Sequence, residues 1–503
     1  MELTFEQTQF PCLRRVAHLS VAQEQTQELI IPDAMADASR TLICYAEPEL
    51  QSKTSRDGSL LITGLLRASC LYADEQGDIQ PLSAQLPFTA KLEHPQWQEQ
   101  TLSCVSCTIR SADARLINSR KLLLRVNVLV QADGYEPTSE AGSTLQDAPG
   151  CLQQKTAVYS SLVPVELSER AFSLSEELVL PEGRSAASQL ISCAVNPVLQ
   201  EQNLVGDKAL AKGKLELLLT YLDAQNIVRT LSLSVPFSQY CQLQQTYSHE
   251  ETLQTSLCLT GVQAELIGTA DGQKLLLGVG LVMQCLILAA QHLCVCEDAY
   301  ATRGTFTPQW QTEEHLMRLD GQTIRASLRE SLPVEGVSAV LDCRIYQQEQ
   351  TQQRTEDGLV IHAPLRVDVL YADADGALQM HSTRVELTCR TALCETGSCE
   401  ASLVLLPECS ATAGTGAIEL RCEGVFSLQC FCKQTLKNLV GGSIDPHETQ
   451  REPRASVIIR RTAHQQALWE LAKQYRTTTE AIQTANGLSQ PEVDAGQLLL
   501  IPM

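Results

Sequence analysis

Apolar and polar residues alternate along much of the chain, as they do in half-buried β-strands. Residues 65–74, "LLRASCLYAD", and residues 365–373, "LRVDVLYAD", are two examples. Residues 120–130, "RKLLLRVNVLV", likewise separate a polar face from an apolar one. The pattern predicts a mainly β protein of antiparallel strands, and it leaves open whether the sheets form barrels or sandwiches.

A turn signal follows each of three such strands, and the signals recur at a regular distance. They read Asp74-Glu-Gln-Gly77, Asp223-Ala-Gln-Asn226 and Asp373-Ala-Asp-Gly376, where Gly or Asn supplies the positive φ that closes a hairpin. The same spacing of 149 and then 150 residues relates Tyr72, Tyr221 and Tyr371, and also Cys44, Cys193 and Cys343. A period of this length is the size of a whole domain. We therefore predict three copies of one antiparallel β domain, over residues 1–150, 151–301 and 302–437.

The period changes to that of helices only near the end of the chain. A short strand at 456–461 and a strand in "GQLLLIP" (496–502) enclose two helical patterns, so residues 454–503 are predicted to form a βααβ module. The first helix would bury Leu468, Leu471, Ala472 and Tyr475, and the second would bury Ala481, Ile482 and Ala485. Thr477 and Glu480 have the spacing of a capping box. Residues 438–453 are rich in Gly, Pro and charge, and are predicted to be an exposed linker that lets the module move freely.

Charge and composition narrow the class of protein. The net charge is -21 over 503 residues, and such a surface repels nucleic acid and anionic lipid headgroups. The sequence begins without the basic and apolar regions of a secretory signal. The longest apolar run, residues 275–290, is too short for a membrane-spanning helix and contains Gln284. We expect a soluble protein of the cytosol, without a transmembrane segment.

Candidate chemistry is sparse. The 20 cysteines include one Cys-x-x-Cys, at Cys104 and Cys107, and a loose cluster formed by Cys389, Cys394, Cys399 and Cys409. Neither has the further Cys or His ligands at the spacing of a zinc site. We therefore expect free thiols in strands, with no metal and no cofactor. Oxidative crosslinking is the alternative interpretation of exposed thiols. No hydrolase, phosphate-binding or dinucleotide motif occurs. We therefore expect a protein that is not an enzyme. Trp469, off the apolar stripe of its helix, is either half-buried packing or a partner contact.

Two family resemblances add to this interpretation. The "IIPD" entry (30–33), the "LYAD" strand with its turn and "ARLINSRKLLLRVNVLV" (114–130) resemble the SPOCS domain of spore-envelope proteins. "ALWELAKQY" (467–475), "AIQTANGL" (481–488) and "GQLLLIP" resemble a LysM module. Together they resemble SipL-type spore coat morphogenetic proteins. That resemblance implies a scaffold on the forespore surface in the mother cell, whose LysM module binds the coat basement ATPase SpoIVA.

The LysM resemblance also implies a ligand groove between the loops at 462–467 and 486–490. The residues expected to line it are Thr462, His464, Gln465, Gln466, Ala467, Leu468, Asn486, Gly487, Leu488 and Ser489. The family's Gly-Asp-Thr before the first helix is replaced here by Gln465-Gln466-Ala467, which favours a protein ligand with an apolar centre at Leu468 and Leu488 and a polar rim at Gln465, Gln466 and Asn486. The alternatives are binding of peptidoglycan or other N-acetylglucosamine glycans, and a cell-wall hydrolase anchored by the LysM module.

Overall fold

The computed structural model of the protein describes residues 2–146, 149–181, 185–269, 272–319, 321–392, 397–406, 409–445 and 456–503. Strands dominate these residues, and two short helices lie near the C-terminus. The predicted fold class, mainly β with a small βααβ module, is confirmed. The strands outside the module form three units, which we call unit 1 (residues 4–146), unit 2 (152–301) and unit 3 (305–445).

Unit 1 is a sandwich of two antiparallel sheets. One sheet has the order β1 (Thr4–Ile30), β6 (Lys121–Gln146), β5 (Leu102–Asn118), and the other has the order β2 (Ala38–Arg56), β3 (Ser59–Asp74), β4 (Ile79–Glu93). Alternate side chains of the two central strands fill the space between the sheets, among them Leu60, Ile62, Leu66, Leu122, Leu124 and Val126. The period-two pattern of β3 and β6 therefore places their apolar faces against each other.

Unit 2 contains the longest strands. β7 (Leu152–Val179) and β10 (Thr252–Thr269) pair with β11 (Gly272–Ala301), and β8 (Ala187–Asp223) pairs with β9 (Val228–Tyr247). β8 folds back on itself near Gly206, where φ is +61°. The hydroxyl of Ser188, at its start, donates to the carbonyls of Leu222 and Asp223 at its end, both at 3.0 Å. The apolar run 275–290 lies within β11, paired with a strand on each side.

Unit 3 is built around two strands. β20 (Ala417–Asp445) pairs with β12 (Thr305–Arg318), β13 (Gln322–Leu332), β18 (Gly397–Leu405) and β19 (Ser410–Gly414). β16 (Gly358–Asp373) pairs with β14 (Val337–Gln347), β15 (Thr351–Thr355) and β17 (Leu378–Thr391).

The structure corrects the start of the predicted linker. Residues 438–445 continue β20 and pair with β12, because Leu439 and Ile444 are buried in a core that all three units share. Gly441 and Gly442, which suggested a linker, lie within this strand. The rest of the predicted linker, residues 446–453, lies outside the described residues.

Each predicted turn has the expected geometry, with φ of +89° at Gly77, +59° at Asn226 and +82° at Gly376. The three turns are also held in the same way. The carboxylate of the first Asp accepts two backbone N–H groups, those of residues two and four positions later. A serine hydroxyl donates to the carbonyls of that Asp and of the residue before it; the serines are Ser39, Ser188 and Ser338.

The three units share a central apolar core. Its members come from matching positions of each unit: Leu42, Ile191 and Leu341, and likewise Ile79, Val228 and Leu378. Polar contacts add to it. The Gln284 side chain of β11, 1% exposed, accepts from the backbone N–H of Val105 (2.8 Å) and donates to its carbonyl (2.9 Å), as a neighbouring strand would. The units therefore form one packed body rather than a string of independent domains.

The C-terminal module has the predicted order of elements. Its elements are β21 (Val457–Arg461), β22 (Gln466–Ala467), α1 (Leu468–Tyr475), α2 (Thr479–Asn486), β23 (Glu492–Val493) and β24 (Leu498–Pro502). β21 pairs with β24, and β22 pairs with β23, both antiparallel. Neither α1 nor α2 has the length or apolarity to cross a membrane, and no other helix occurs among the described residues.

Candidate functional site

The two helices of the module pack on the β21–β24 pair. Leu468, Leu471 and Ala472 of α1 are buried, as the periodicity predicted, whereas Tyr475, predicted to be buried with them, is half-buried. On α2 only Ile482 is buried; Ala481 is half-buried and Ala485 is exposed, so the predicted inward face of α2 is wrong except at Ile482.

The cap of α2 differs from the prediction by one residue, and the start of α1 agrees with it. α1 begins after Ala467, which makes no side-chain cap, as expected from the loss of a capping residue. It ends at Tyr475, and the following residue, Arg476, lies in the left-handed region with φ of +54°. The cap of α2 is Thr478, whose hydroxyl accepts from the Ala481 N–H at 3.1 Å, and the predicted capping box of Thr477 with Glu480 is wrong. Thr477 is instead buried, and its N–H donates to the carbonyl of Ala472, which closes the end of α1.

The structure brings the two predicted groove loops together. The N–H of Leu468 donates to the carbonyl of Pro491 at 2.8 Å, so the end of the first loop is tied to the residues that follow the second. The Gln465 amide also donates to Glu492 at 2.8 Å. Of the ten predicted residues, His464, Gln465, Gly487 and Ser489 are exposed, and Gln466, Ala467, Asn486 and Leu488 are half-buried.

Three of the predicted groove residues serve the module's own structure. Leu468 is 1% exposed, so the expectation that it forms the apolar centre of an interface is wrong. Thr462 is buried, and its hydroxyl donates to the Asp494 carbonyl at 2.6 Å. The Asn486 amide donates to the Leu500 carbonyl (2.6 Å) and accepts from its N–H (2.7 Å), which removes it from the expected polar rim. Ligand binding by the other seven residues stays a prediction.

One polar atom of the groove has no partner. The Gln466 side-chain nitrogen is buried and makes no hydrogen bond among the described residues. A buried, unpaired donor costs about 1–3 kcal/mol.

The module is bound to unit 2 through α1. The indole N–H of Trp469 donates to Asp298 at 2.8 Å, and the Lys473 ammonium contacts both oxygens of the same carboxylate at 2.7 and 2.6 Å. The ring of Tyr300 lies edge-on to Trp469, with centroids 4.9 Å apart, and its hydroxyl donates to the Thr477 carbonyl at 2.8 Å. The prediction of a freely moving module is therefore wrong.

These docking residues of unit 2 were not found from the sequence. Burial alone raises the pKa of Asp298, but hydrogen bonds from Lys473 and Trp469 outweigh it and hold that pKa below its usual value. "EDAYA" (297–301) carries no local sign of a partner about 170 residues away. The half-burial of Trp469 was predicted, and the structure gives its cause: the side chain packs within its own chain.

The described cysteines of these two features lie on opposite faces of one strand or on or beside different strands. Cys104 and Cys107 lie three positions apart on β5, so their side chains leave opposite faces of the sheet. Of the looser cluster, Cys389 lies on β17, Cys399 on β18 and Cys409 just before β19, and Cys394 lies outside the described residues. Within the part of the chain that the structure describes, no three His, Cys, Asp or Glu side chains are grouped as metal ligands.

Comparison with known proteins identifies two segments. Residues 37–117 match the family model "SipL, SPOCS domain", and these residues extend from the start of β2 into β5 of unit 1. Residues 467–502 match the LysM domain, which covers α1, α2 and β24 of the module. Neither a curated protein nor a solved structure matches the chain. The chain thus combines a SPOCS domain of the SipL type with a LysM domain, the latter a glycan-binding type of domain.

Proposed function

We propose that the chain is a non-enzymatic scaffold of spore-envelope assembly, in which the LysM module captures a partner protein at the forespore surface. The SPOCS and LysM matches support a sporulation-related adaptor. The observation that carries the proposal is the docking of α1 on Asp298 and Tyr300. It fixes the module on a large body while His464 and Ser489, one on each groove loop, stay exposed.

The proposed partner is a coat basement ATPase of the SpoIVA kind, as the family resemblance implies, and the proposed place is the mother-cell cytoplasm. A protein ligand also agrees with the charge distribution. Residues 451–503 contain six basic and five acidic residues, whereas the body carries nearly all of the negative charge. The module therefore offers a near-neutral contact surface on an acidic protein, and its partner avoids most of the repulsion.

We further propose that units 1, 2 and 3 are copies of one SPOCS domain. The shared Asp-turn and Ser hydrogen bonds support this, as does the central core drawn from positions 149 and 150 residues apart. On this proposal the domain limits follow the predicted ones near residues 150 and 301, and only the end of the third extends, to residue 445.

The test uses the full-length protein and a variant of the groove loops. His464→Glu with Ser489→Glu changes two exposed side chains, one on each loop. We expect this variant to lose co-precipitation with the basement ATPase from sporulating cells and to leave the forespore surface as a fluorescent fusion. Ala495→Glu is the matched control, an equally exposed position on another loop. Retention of ATPase binding by the groove variant would contradict the proposal.

Glycan binding is the second candidate function, and the match of residues 467–502 to the LysM domain, a glycan-binding type of domain, favours it. Sedimentation of the same full-length protein with purified peptidoglycan and with chitin separates the two candidates. Tight pelleting with either glycan, lost in the groove variant and accompanied by no ATPase capture, would favour the glycan.

A further inference from the structure

Cysteine side chains meet in pairs at four places among the described residues. The Cys409 thiol donates to the sulfur of Cys422 at 3.2 Å. Cys44 lies directly opposite Cys70 on β2 and β3, and Cys399 opposite Cys430 on β18 and β20. Cys241 and Cys285 are hydrogen-bonded to each other. Eight of the described cysteines are thus paired by strand register or by a hydrogen bond between their sulfurs.

The pair at Cys409 differs from the other three in its access to solvent. Cys409 is half-buried, whereas both members of each other pair are buried. A small oxidant can therefore reach the Cys409 sulfur in the folded protein. In the other pairs, it would have to wait for local unfolding of a sheet.

The backbone at this pair suits a disulfide. Ser410 of β19 lies opposite Arg421 of β20, so Cys409 continues the register to Cys422. Opposed residues of antiparallel strands have Cα separations of about 4.5–5.5 Å, within the range that disulfides span. The sulfurs need to close from 3.2 Å to about 2.05 Å, which side-chain rotation can supply.

We propose that Cys409 and Cys422 are a redox modification site, converted to an intramolecular disulfide by a low-molecular-weight disulfide such as oxidised glutathione. The Cys409 thiolate attacks one glutathione sulfur, forms a mixed disulfide and releases one glutathione thiolate, which takes up the Cys409 proton. Cys422 then attacks the Cys409 sulfur, expels the second glutathione, and passes its proton to that thiolate. Two protein thiols are oxidised, and one glutathione disulfide is reduced to two thiols.

The second step is the slower one. In the reduced pair, the hydrogen bond with Cys409, together with burial, raises the pKa of the Cys422 thiol. The mixed disulfide removes that hydrogen bond, but burial remains, so little of Cys422 is thiolate at neutral pH. The mixed disulfide on Cys409 should therefore appear first and then decay. Its decay should become faster as the pH rises, because the thiolate fraction of Cys422 increases.

The bond would change one edge of unit 3. β19 is a five-residue strand at the margin of the β20 sheet, and it packs beside β14. A link from Cys409 to Cys422 closes the residues between them into a loop, which encloses β19 and its turn. The modification would hold this edge strand on β20 without altering the LysM module.

Peptide mapping of the full-length protein tests the site. After incubation of the native protein with oxidised glutathione and alkylation, cleavage by trypsin and a Glu-specific protease isolates residues 409–419 and 422–423, each with one cysteine. We expect these two peptides to be joined by a disulfide and to carry no glutathione. The three buried pairs should stay reduced until the protein is unfolded in urea, then oxidise.

Variants make the order of steps visible. Cys422→Ser should trap glutathione on Cys409, and Cys409→Ser should abolish the reaction at both positions. Cys432→Ser, another half-buried cysteine on β20, is the matched control and should react as the wild type does. The proposal is overturned if native wild-type protein keeps glutathione on Cys409, leaves Cys409 unmodified, or joins Cys409 to another cysteine such as Cys343. The wild-type map decides this even where a variant fails to fold.

Discussion

Asp223 shows how one side chain holds a hairpin at the scale of a residue. Its Oδ1 accepts from the N–H groups of Gln225 (2.9 Å) and Ile227 (3.0 Å), and its Oδ2 accepts from Arg229 at 3.0 Å. The residue is 1% exposed, so water has little access to these N–H groups. The sequence predicted the turn, but the buried carboxylate became evident only in the structure.

Replacing this carboxylate should destabilise unit 2. Asp223→Ala leaves two backbone donors and Arg229 without their acceptor, and each unsatisfied buried group costs about 1–3 kcal/mol. We expect a loss of about 2–3 kcal/mol in the free energy of unfolding, measured by urea denaturation. Asp223→Asn is the control, since its carbonyl oxygen can still accept both N–H groups, and it should cost clearly less. Equal effects of Ala and Asn would show that charge, not turn geometry, matters here.

Glu47 has the opposite character, because its surroundings disfavour its charge. It lines a cleft of about 1070 Å³ between β2–β3 and unit 2. Burial raises its pKa from 4.5 to about 7, and the charges of Arg344 and Arg67 offset only part of this. A carboxyl group whose pKa is raised by folding binds its proton more tightly in the native state. Its contribution to stability is therefore complete below pH 4.5 and is lost as the pH rises through 7.

Glu47→Gln should remove this pH dependence. At pH 8 the variant should be more stable than the wild type by roughly 1–2 kcal/mol, and at pH 5 the two should nearly coincide. Thermal unfolding at a series of pH values measures the difference. Glu49→Gln provides the contrast, because Glu49 accepts from the Val262 N–H (3.0 Å) and from Arg67 (3.2 Å) and should be needed at both pH values. A difference at pH 8 no larger than at pH 5 would contradict the assignment to Glu47.

At the scale of strands, one packing arrangement recurs in two units and changes in the third. Gly64 lies opposite Phe88 and Gly213 opposite Phe237, with each ring over the glycine. In unit 3 the corresponding pair is Ala363 opposite Leu387. Phenylalanine thus faces glycine in units 1 and 2, and the smaller leucine faces alanine in unit 3. The combined side-chain volume of the pair therefore stays similar.

A double-mutant cycle tests this exchange. A Cβ at Gly64 would overlap the Phe88 ring and lie 2.5 Å from the Glu49 carbonyl, so Gly64→Ala should cost about 2–3 kcal/mol. Phe88→Leu alone leaves a cavity and should also destabilise. Together they reproduce the unit 3 pair and should cost less than the sum of the single changes. Full recovery is not expected, since the Glu49 carbonyl still meets the new methyl group. If the double variant lost as much unfolding free energy as the two single variants combined, the coupling would be refuted.

The strands, turns and helix caps also show which features could be predicted from the sequence. Alternation predicted the strands, and Gly or Asn at the fourth turn position predicted the positive φ, because both are local properties. The cap of α2 was misplaced by one residue, since both Thr477 and Thr478 are capping types and only the fold of the α1 end selects Thr478. Ala485 looked buried by periodicity, yet it is exposed, and Ile482 is the buried residue of α2. The sequence predicted that the two groove loops lie side by side. It did not predict which of their side chains already form hydrogen bonds within the module, because those bonds are made to β23 and β24.

At the scale of the whole molecule, long-range contacts unite the parts that the sequence separates. The central core takes residues from all three units, and Gln284 of unit 2 bonds to the backbone of Val105 in unit 1. Arg366 of unit 3 likewise donates to Asp113 of unit 1, at 2.9 Å for one of the two bonds. Such contacts join residues more than 150 positions apart. No periodicity or motif encodes them, which is why the sequence indicated separate domains and a mobile module.

Docking of the LysM module is the part of this architecture most open to test, because it rests on Asp298. Its carboxylate accepts from Trp469 and Lys473, and the lowered pKa shows that docking favours the charged form. A depressed pKa contributes stability above the ordinary value of 3.8, and this contribution is lost as the pH falls through the folded-state pKa. Docking should therefore be constant from pH 8 to about 5 and weaken in acid.

Asp298→Ala should release the module from unit 2 while leaving it folded. The change removes one neutral and one charged hydrogen-bonding partner from α1, worth together about 1–3 kcal/mol at a partly buried site. We expect faster hydrogen exchange in α1 and around Tyr300, and a larger radius of gyration in solution scattering. Asp298→Asn should lie between, since it still accepts from Trp469, and Glu470→Gln, on an exposed position of the same helix, should match the wild type. If α1 exchanges equally slowly in Asp298→Ala and in the wild type, the carboxylate is not what holds the module, and Tyr300 with its ring contact to Trp469 must suffice.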